Sequence, residues 1–190
     1  VVVALLAAAY LDDPYQYLNY LREDSLIEWL SFAFLALSGL IALDIGIQIL
    51  RRDRQFQWFF FAFGFFCLLM AFEEISWGQR LFAITPPEYF LGNSDQQEIN
   101  VHNVLQQKLD FKTKDVAALV LSLYGIALPL LAINRRVATL LQRVKLVVPP
   151  LYLSVGFLNA TLMMFYIPSG FEEEIGEFLF VLAFLLFMLH

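Results

Sequence analysis

Apolar residues in this chain come in long blocks, without the two-residue alternation of a strand or the narrow stripe of a soluble helix. The blocks are 1–11, 26–50, 56–77, 116–134, 147–167 and 175–189, each rich in Leu, Ile, Val, Phe or Ala. A helix needs about 20 apolar residues to cross a hydrocarbon core of roughly 30 Å. The pattern therefore predicts an all-α fold, a polytopic transmembrane bundle of about six spans, as a single domain over 1–190. The block 1–11 reads as the end of a first helix. Ser25 stands where a cap would open the second. Pro129 predicts a kink in the fourth block, because proline removes a backbone donor. Pro149 and Pro150 are expected to open the fifth, since the first helical turn tolerates proline.

The polar stretches between the blocks differ in sign. The short segments after the second and fourth blocks hold Arg51, Arg52, Arg54, Arg135, Arg136, Arg143 and Lys145, seven of the twelve basic residues. Basic loops stay on the cytoplasmic side of a membrane. That rule places loops 51–55 and 135–145 in the cytoplasm of a bacterial inner (plasma) membrane, and the long connection 78–115 outside it. Sixteen of the eighteen acids, all but Asp44 and Asp53, then face outward. Within the connection, Pro86-Pro87 and the string GNSD break the chain. A helical piece over about 96–109 follows, which lies on the membrane or folds back over the bundle.

Composition sharpens this reading. Hydrophobic residues make up 60% of the chain and mean hydropathy is +0.67, against about half apolar in soluble domains. A net charge of −6 is not the basic footprint of a nucleic-acid binder. The single cysteine, Cys67, rules out an internal disulfide and a CxxC metal site. Seven phenylalanines fall within 56–66. They suit lipid contact or tight helix packing, with a pigment or quinone pocket as the alternative.

Candidate chemistry gathers at the acidic end. Glu28, Glu73, Glu74, Glu98, Glu173 and Glu177 come from separate segments that this topology brings to one side. On a helix, Glu98 and His102 share a face, as do Glu173 and Glu177, because each pair is four apart. Carboxylates with one imidazole would suit a divalent metal, calcium, magnesium or manganese, better than zinc. The plainer reading is a solvated acidic face with Arg80 and Lys108 as counter-ions, Arg80 being the nearest partner for Glu73 and Glu74. Glu28 and Glu177 near helix starts are favoured by the helix dipole alone. Among polar residues inside the blocks, Asp44 is expected to reach toward the inner arginines. Asn159, Thr161, Ser122, Tyr124 and Ser154 are expected to make packing hydrogen bonds between helices. No nucleophile elbow, Ser-His-Asp set or phosphate loop is present, so a general base would have to be His102 or a glutamate.

The strings FEEISWGQR and NSDQQEINVHN, within 72–103, resemble a recurrent pattern of a family of uncharacterised bacterial integral membrane proteins. That resemblance implies membrane insertion and carries no activity. The string EDSLIEWLSFAFLALSG is more loosely similar to the opening of the alkaline ceramidase-like membrane hydrolases. It implies a seven-span bundle with calcium held by Glu23, Asp24 and Glu28, but the three zinc histidines of those enzymes are missing here. His102 and His190 are the only histidines in the chain.

These features point first to a non-catalytic integral membrane component, an accessory or assembly subunit whose partners are the lipid bilayer and other membrane subunits. The alternative is a metal-dependent membrane enzyme or ion-binding protein built on the outer carboxylates and His102. A small transporter is a third reading, though the blocks lack a pair of broken helices at mid-membrane.

Overall fold

The structure, a computed structural model, describes residues 11–13, 26–79, 81–94, 99, 104, 113–166 and 172–190. Among these residues the chain is helical and contains no strand. Helix α1 spans Leu26–Asp53, 28 residues, or about 42 Å at 1.5 Å per residue. It runs three residues past the expected stop, because Arg51 and Arg52 lie in its last turn, where cations complement the helix dipole. Arg54, at φ 54°, ends it in the left-handed region. After a short link, α2 spans Trp58–Glu74, and a 3-10 turn, Ser76–Gly78, follows. A short helix, α3, covers Glu88–Asn93 behind Pro87.

Helix α4 is a continuous rod in three pieces, Thr113–Ser122, a π-turn Leu123–Ala127, and Leu128–Leu131. The expected disturbance at Pro129 takes the form of this π-turn. A wider turn just before a proline makes room for the ring and for the carbonyl that has lost its donor. Basic segment 135–145, read from sequence as a loop, contains helix α5, Arg135–Arg143, whose first turn is capped by Asn134 Oδ1 accepting from the Arg136 N–H at 2.9 Å. The prolines at 149 and 150 precede the next helix instead of lying in it. A 3-10 turn, Leu151–Leu153, leads into α6, Ser154–Tyr166, and α7 spans Glu172–Met188. By length and composition, two helices are apolar and long enough to cross a membrane, Leu26–Asp53 and Lys114–Leu131. The first block, 1–11, and most of the piece at 96–109 lie outside the described residues.

Helix α7 is the central post. Ile175, Phe178, Leu179, Phe180, Val181, Ala183, Phe184 and Phe187 are all buried, which means that it is enclosed on nearly every side. It packs on α1 and α6, α1 packs on α2, and α6 also meets α4. The phenylalanines of α2 divide into two sets. Phe59 and Phe63 turn inward and meet Phe187, Phe184 and Tyr124 at centroid separations of 5.2–6.3 Å. Phe65, Phe66 and Phe72 point outward. One face of the helix thus packs inward and the other is exposed.

Helices α1 and α2 touch through glycine. A Cβ on Gly39 would sit 2.9 Å from the Gly64 carbonyl oxygen, and one on Gly64 would sit 2.7 Å from Leu43 Cγ. Ser31, Ser38, Ala42 and Gly46 continue the small, buried face of α1. Small residues let two backbones approach closely enough for dispersion to hold them, as in membrane helix pairs. Polar side chains add a few bonds. Ser122 and Thr161 join α4 to α6 at 2.6 Å, as expected, and Tyr124 donates to the Val147 carbonyl at 2.9 Å. Asn159 instead donates to Val155 in its own helix, and Asp44 accepts from Gln48 one turn away.

Gly64→Leu should therefore cost about 1–3 kcal/mol of stability by overpacking the α1–α2 contact. Gly92→Ala, where a Cβ meets nothing within 4 Å, should be neutral. Thermal unfolding of both variants in the same detergent checks this pair, and equal melting temperatures would count against the tight crossing.

Candidate functional site

One end of the bundle collects charge around Lys114, in the first turn of α4. Its Nζ lies 2.9 Å from Glu177 Oε1 and 3.3 Å from Glu174 Oε1. Lys114 Nζ donates to Glu174 Oε1, and the shorter contact to Glu177 is an ion pair. Glu174 and Glu177 stand three apart in the first turns of α7, so both face the same neighbour. Glu28, in the first turn of α1, and Glu74, at the last residue of α2, complete the cluster. The carboxylates of Glu177, Glu174 and Glu28 all act on Glu74 through space, with the Lys114 ammonium opposing them.

Helix dipoles explain how these residues divide. Glu28 and Glu174 lie in the first turns of their helices, where negative charge is favoured by about 0.3–1 kcal/mol, and Glu177 lies one turn further in. Lys114 and Glu74 lie at the wrong ends for their charge. Lys114 is offset by two carboxylates in contact. Glu74 has three carboxylates and one ammonium acting on it through space.

Glu73, its neighbour, faces elsewhere. It is buried, and its Oε1 accepts from Trp77 Nε1 at 2.7 Å. The turn that makes this bond is unusual: Ser76, Trp77 and Gly78 all have positive φ, at 46°, 55° and 76°. Only the glycine adopts such a conformation without steric cost; each of the other two costs about 1–2 kcal/mol. The turn reverses the chain sharply at the end of α2 and stacks Trp77 on Phe72 with ring centroids 5.4 Å apart. Just beyond, Gln79 Oε1 accepts from the Ile99 N–H at 2.7 Å. The strings WGQR and EINVHN, separate in sequence, are therefore joined by a hydrogen bond.

Of the residues proposed from sequence, Glu28, Glu74 and Glu177 lie at this end within reach of one another's charge, and Glu73 turns toward Trp77. Glu98, His102, Arg80 and the side chain of Glu173 lie outside the described residues. Among the described residues no three His, Cys, Asp or Glu side chains are grouped as a metal shell would require. Two members of the cluster fall outside the candidate ligand set. Lys114 belongs to the outer connection by sequence, although a lysine just before an apolar block is a candidate counter-ion for an acidic end. Glu174 belongs to the acidic run 172–174, but the four-residue spacing selects Glu173 as the partner of Glu177.

Removing the central cation and removing the surplus carboxylate should act in opposite directions. Lys114→Met leaves Glu174 and Glu177 facing each other half-buried and should cost about 1–2 kcal/mol, between the exposed and buried limits for ion pairs. Lys114→Arg should restore most of that. Glu74→Gln, which removes like-charge repulsion, should leave the melting temperature unchanged or raise it. A loss on Glu74→Gln as large as that on Lys114→Met would contradict this division of roles. Comparison with known proteins finds no matching family model, no similar curated protein and no similar solved structure at a significant level, and function is accordingly argued from these residues.

Proposed function

We propose that this chain is a multi-pass helical protein of a bacterial inner membrane and that it serves as a non-catalytic subunit of a larger membrane assembly. The observation that carries this reading is the distribution of exposed apolar surface. Leu37, Leu40, Phe65, Leu69, Leu119 and Val155 are all well exposed along α1, α2, α4 and α6. They lie between an acidic end and a basic end. A surface of this kind is stable against lipid or against other membrane helices, and not against water. Helices α2 and α7 have 17 residues each, within the range of about 17–25 that crosses a bilayer. In this reading about six spans cross the membrane. Loops 51–55 and 135–145 face the cytoplasm, and 78–115 faces outward.

The Lys114 cluster supports a structural role at the outer end. Its contacts tie α4 to α7, and the reading assigns it no reaction. A specific observation favours one alternative: Glu174 and Glu177 converge on Lys114 at this end, with Glu28 and Glu74 close enough to act through space. The second reading is an ion-binding protein on these carboxylates, with Glu98, His102 and Glu173 as further candidate ligands.

Native purification from membranes in mild detergent, with mass spectrometry of everything retained, separates the two. The subunit reading expects a fixed stoichiometric protein partner, whose deletion lowers the abundance of this chain. A lone particle that retains calcium, magnesium or manganese, and loses it on Glu74→Gln, would overturn the subunit reading in favour of the second.

A further inference from the structure

The opposite end of the molecule carries a feature that the proposed function does not use. Helix α5 divides sharply around its axis. Arg135, Arg136, Thr139, Gln142 and Arg143 form one face, and Val137, Ala138, Leu140 and Leu141 form the other. The apolar face is only partly covered, with Leu140 at 58% and the adjoining Val144 at 49% exposure. Beneath α5 lies a cleft of about 390 Å³. Phe60, Leu141 and Val148 supply apolar walls, and Gln57, Gln142 and Lys145 supply the polar positions.

The two basic segments meet here. Trp58 Nε1 donates to the Val144 carbonyl at 2.7 Å, and Lys145 Nζ donates to the Phe56 carbonyl at 3.0 Å. The link after α1, with Arg51, Arg52 and Arg54, is thereby fastened to the end of α5. Among the described residues none of Arg135, Arg136, Arg143 and Lys145 has a carboxylate partner. Lys145 also holds a position that glycine usually takes. Its N–H bonds to the Gln142 carbonyl and that of Leu146 to the Leu141 carbonyl, the helix-ending pattern that places the intervening residue in the left-handed region. Lys145 does so at φ 56°. The backbone alone would favour glycine, so the ammonium at this point is what the lysine adds.

We propose that this cleft is a seat for one anionic phospholipid, its phosphate held by Lys145 with Gln57 and Gln142 in the field of the nearby α5 arginines, and an acyl chain lying against Phe60, Leu141 and Val148. The inference rests on the membrane reading above and extends it. An amphipathic basic helix lies in the interfacial plane with its apolar face toward the acyl chains, and attracts anionic headgroups. An ammonium has three donors, and the Phe56 carbonyl engages one, leaving others for phosphate oxygens. An apolar groove with the Lys145 ammonium at its edge and arginines on the helix above it matches the charge and the shape of such a lipid, and a zwitterionic lipid gains less from the same charges.

The test uses the full chain, purified in detergent, stripped of lipid, and offered equal amounts of dioleoyl phosphatidylglycerol and dioleoyl phosphatidylcholine. Native mass spectrometry counts what is retained. One phosphatidylglycerol should be held in preference by at least about fivefold, the effect of a single basic side chain near a membrane surface. Lys145→Gly should keep the fold, because glycine suits that φ, and should lose the preference. Arg136→Gln with Arg143→Gln should weaken the preference, and Ala138→Phe, which fills the cleft, should remove the retained lipid. Equal retention of the two lipids, a preference unchanged in Lys145→Gly, or displacement of the lipid by inorganic phosphate alone would overturn the proposal. Alkaline carbonate extraction of membranes separates the failures. A chain released into solution overturns the membrane reading and this inference with it, whereas a chain that stays behind without lipid preference overturns this inference alone.

Discussion

One ammonium group among carboxylates decides how the acidic end of this protein is built. Lys114 begins a helix, where the dipole repels a cation, and it keeps its charge there only because Glu174 and Glu177 meet it from the start of α7. That contact fixes α4 against α7. Helix α7 is the enclosed centre of the bundle, so its position carries over to every other helix. Glu28 and Glu74 bring the ends of α1 and α2 into the same field. These side chains are only partly buried, so the contact sits between an exposed and a buried ion pair.

Away from the ends, the helices pack through a buried apolar cluster drawn from α1, α2, α4, α6 and α7, and close fit sets how they meet. Two devices supply it. Gly39 and Gly64 let α1 and α2 approach to backbone contact, and the rings of Phe59, Phe63, Phe184 and Phe187 fill the space between α2 and α7. The basic end is assembled by different means, hydrogen bonds from Trp58 and Lys145 to backbone carbonyls across two loops. Acid cluster, aromatic middle and basic rim are thus three layers held by three kinds of force.

Much of the helical layout was legible because long apolar blocks leave the chain few alternatives. From residue 26 onward each block contains a helix, with ends shifted by a few residues. Shifts occurred where a terminal effect outweighed composition: Arg51 and Arg52 extend α1 because its dipole favours them, and Pro149 and Pro150 precede their helix. Helix α5 was hidden because nine residues rich in arginine look like a loop until their apolar positions are placed on a wheel. At the acidic end, Glu28, Glu74 and Glu177 lie near enough to act on one another through space, since three helix ends share one side. Sequence could not separate Glu73 from Glu74, which differ only in the direction each faces at the end of one helix. Nor could it choose Glu174 over Glu173, because three- and four-residue spacings both fit one helical face. The left-handed turn at Ser76 and Trp77 had no signal beyond Gly78, as two of its three residues are of types that avoid that conformation.

The account stands on the Lys114 cluster facing outward and the basic cleft facing the cytoplasm, on opposite sides of a membrane. With the buried Cys67 replaced by alanine, single cysteines introduced by Glu88→Cys and Arg135→Cys can be reacted on intact cells with a membrane-impermeant maleimide. Glu88→Cys should label at once, and Arg135→Cys only after the membrane is permeabilised. Equal labelling of both in intact cells, or the reverse order, would contradict the arrangement from which the rest of the reading follows.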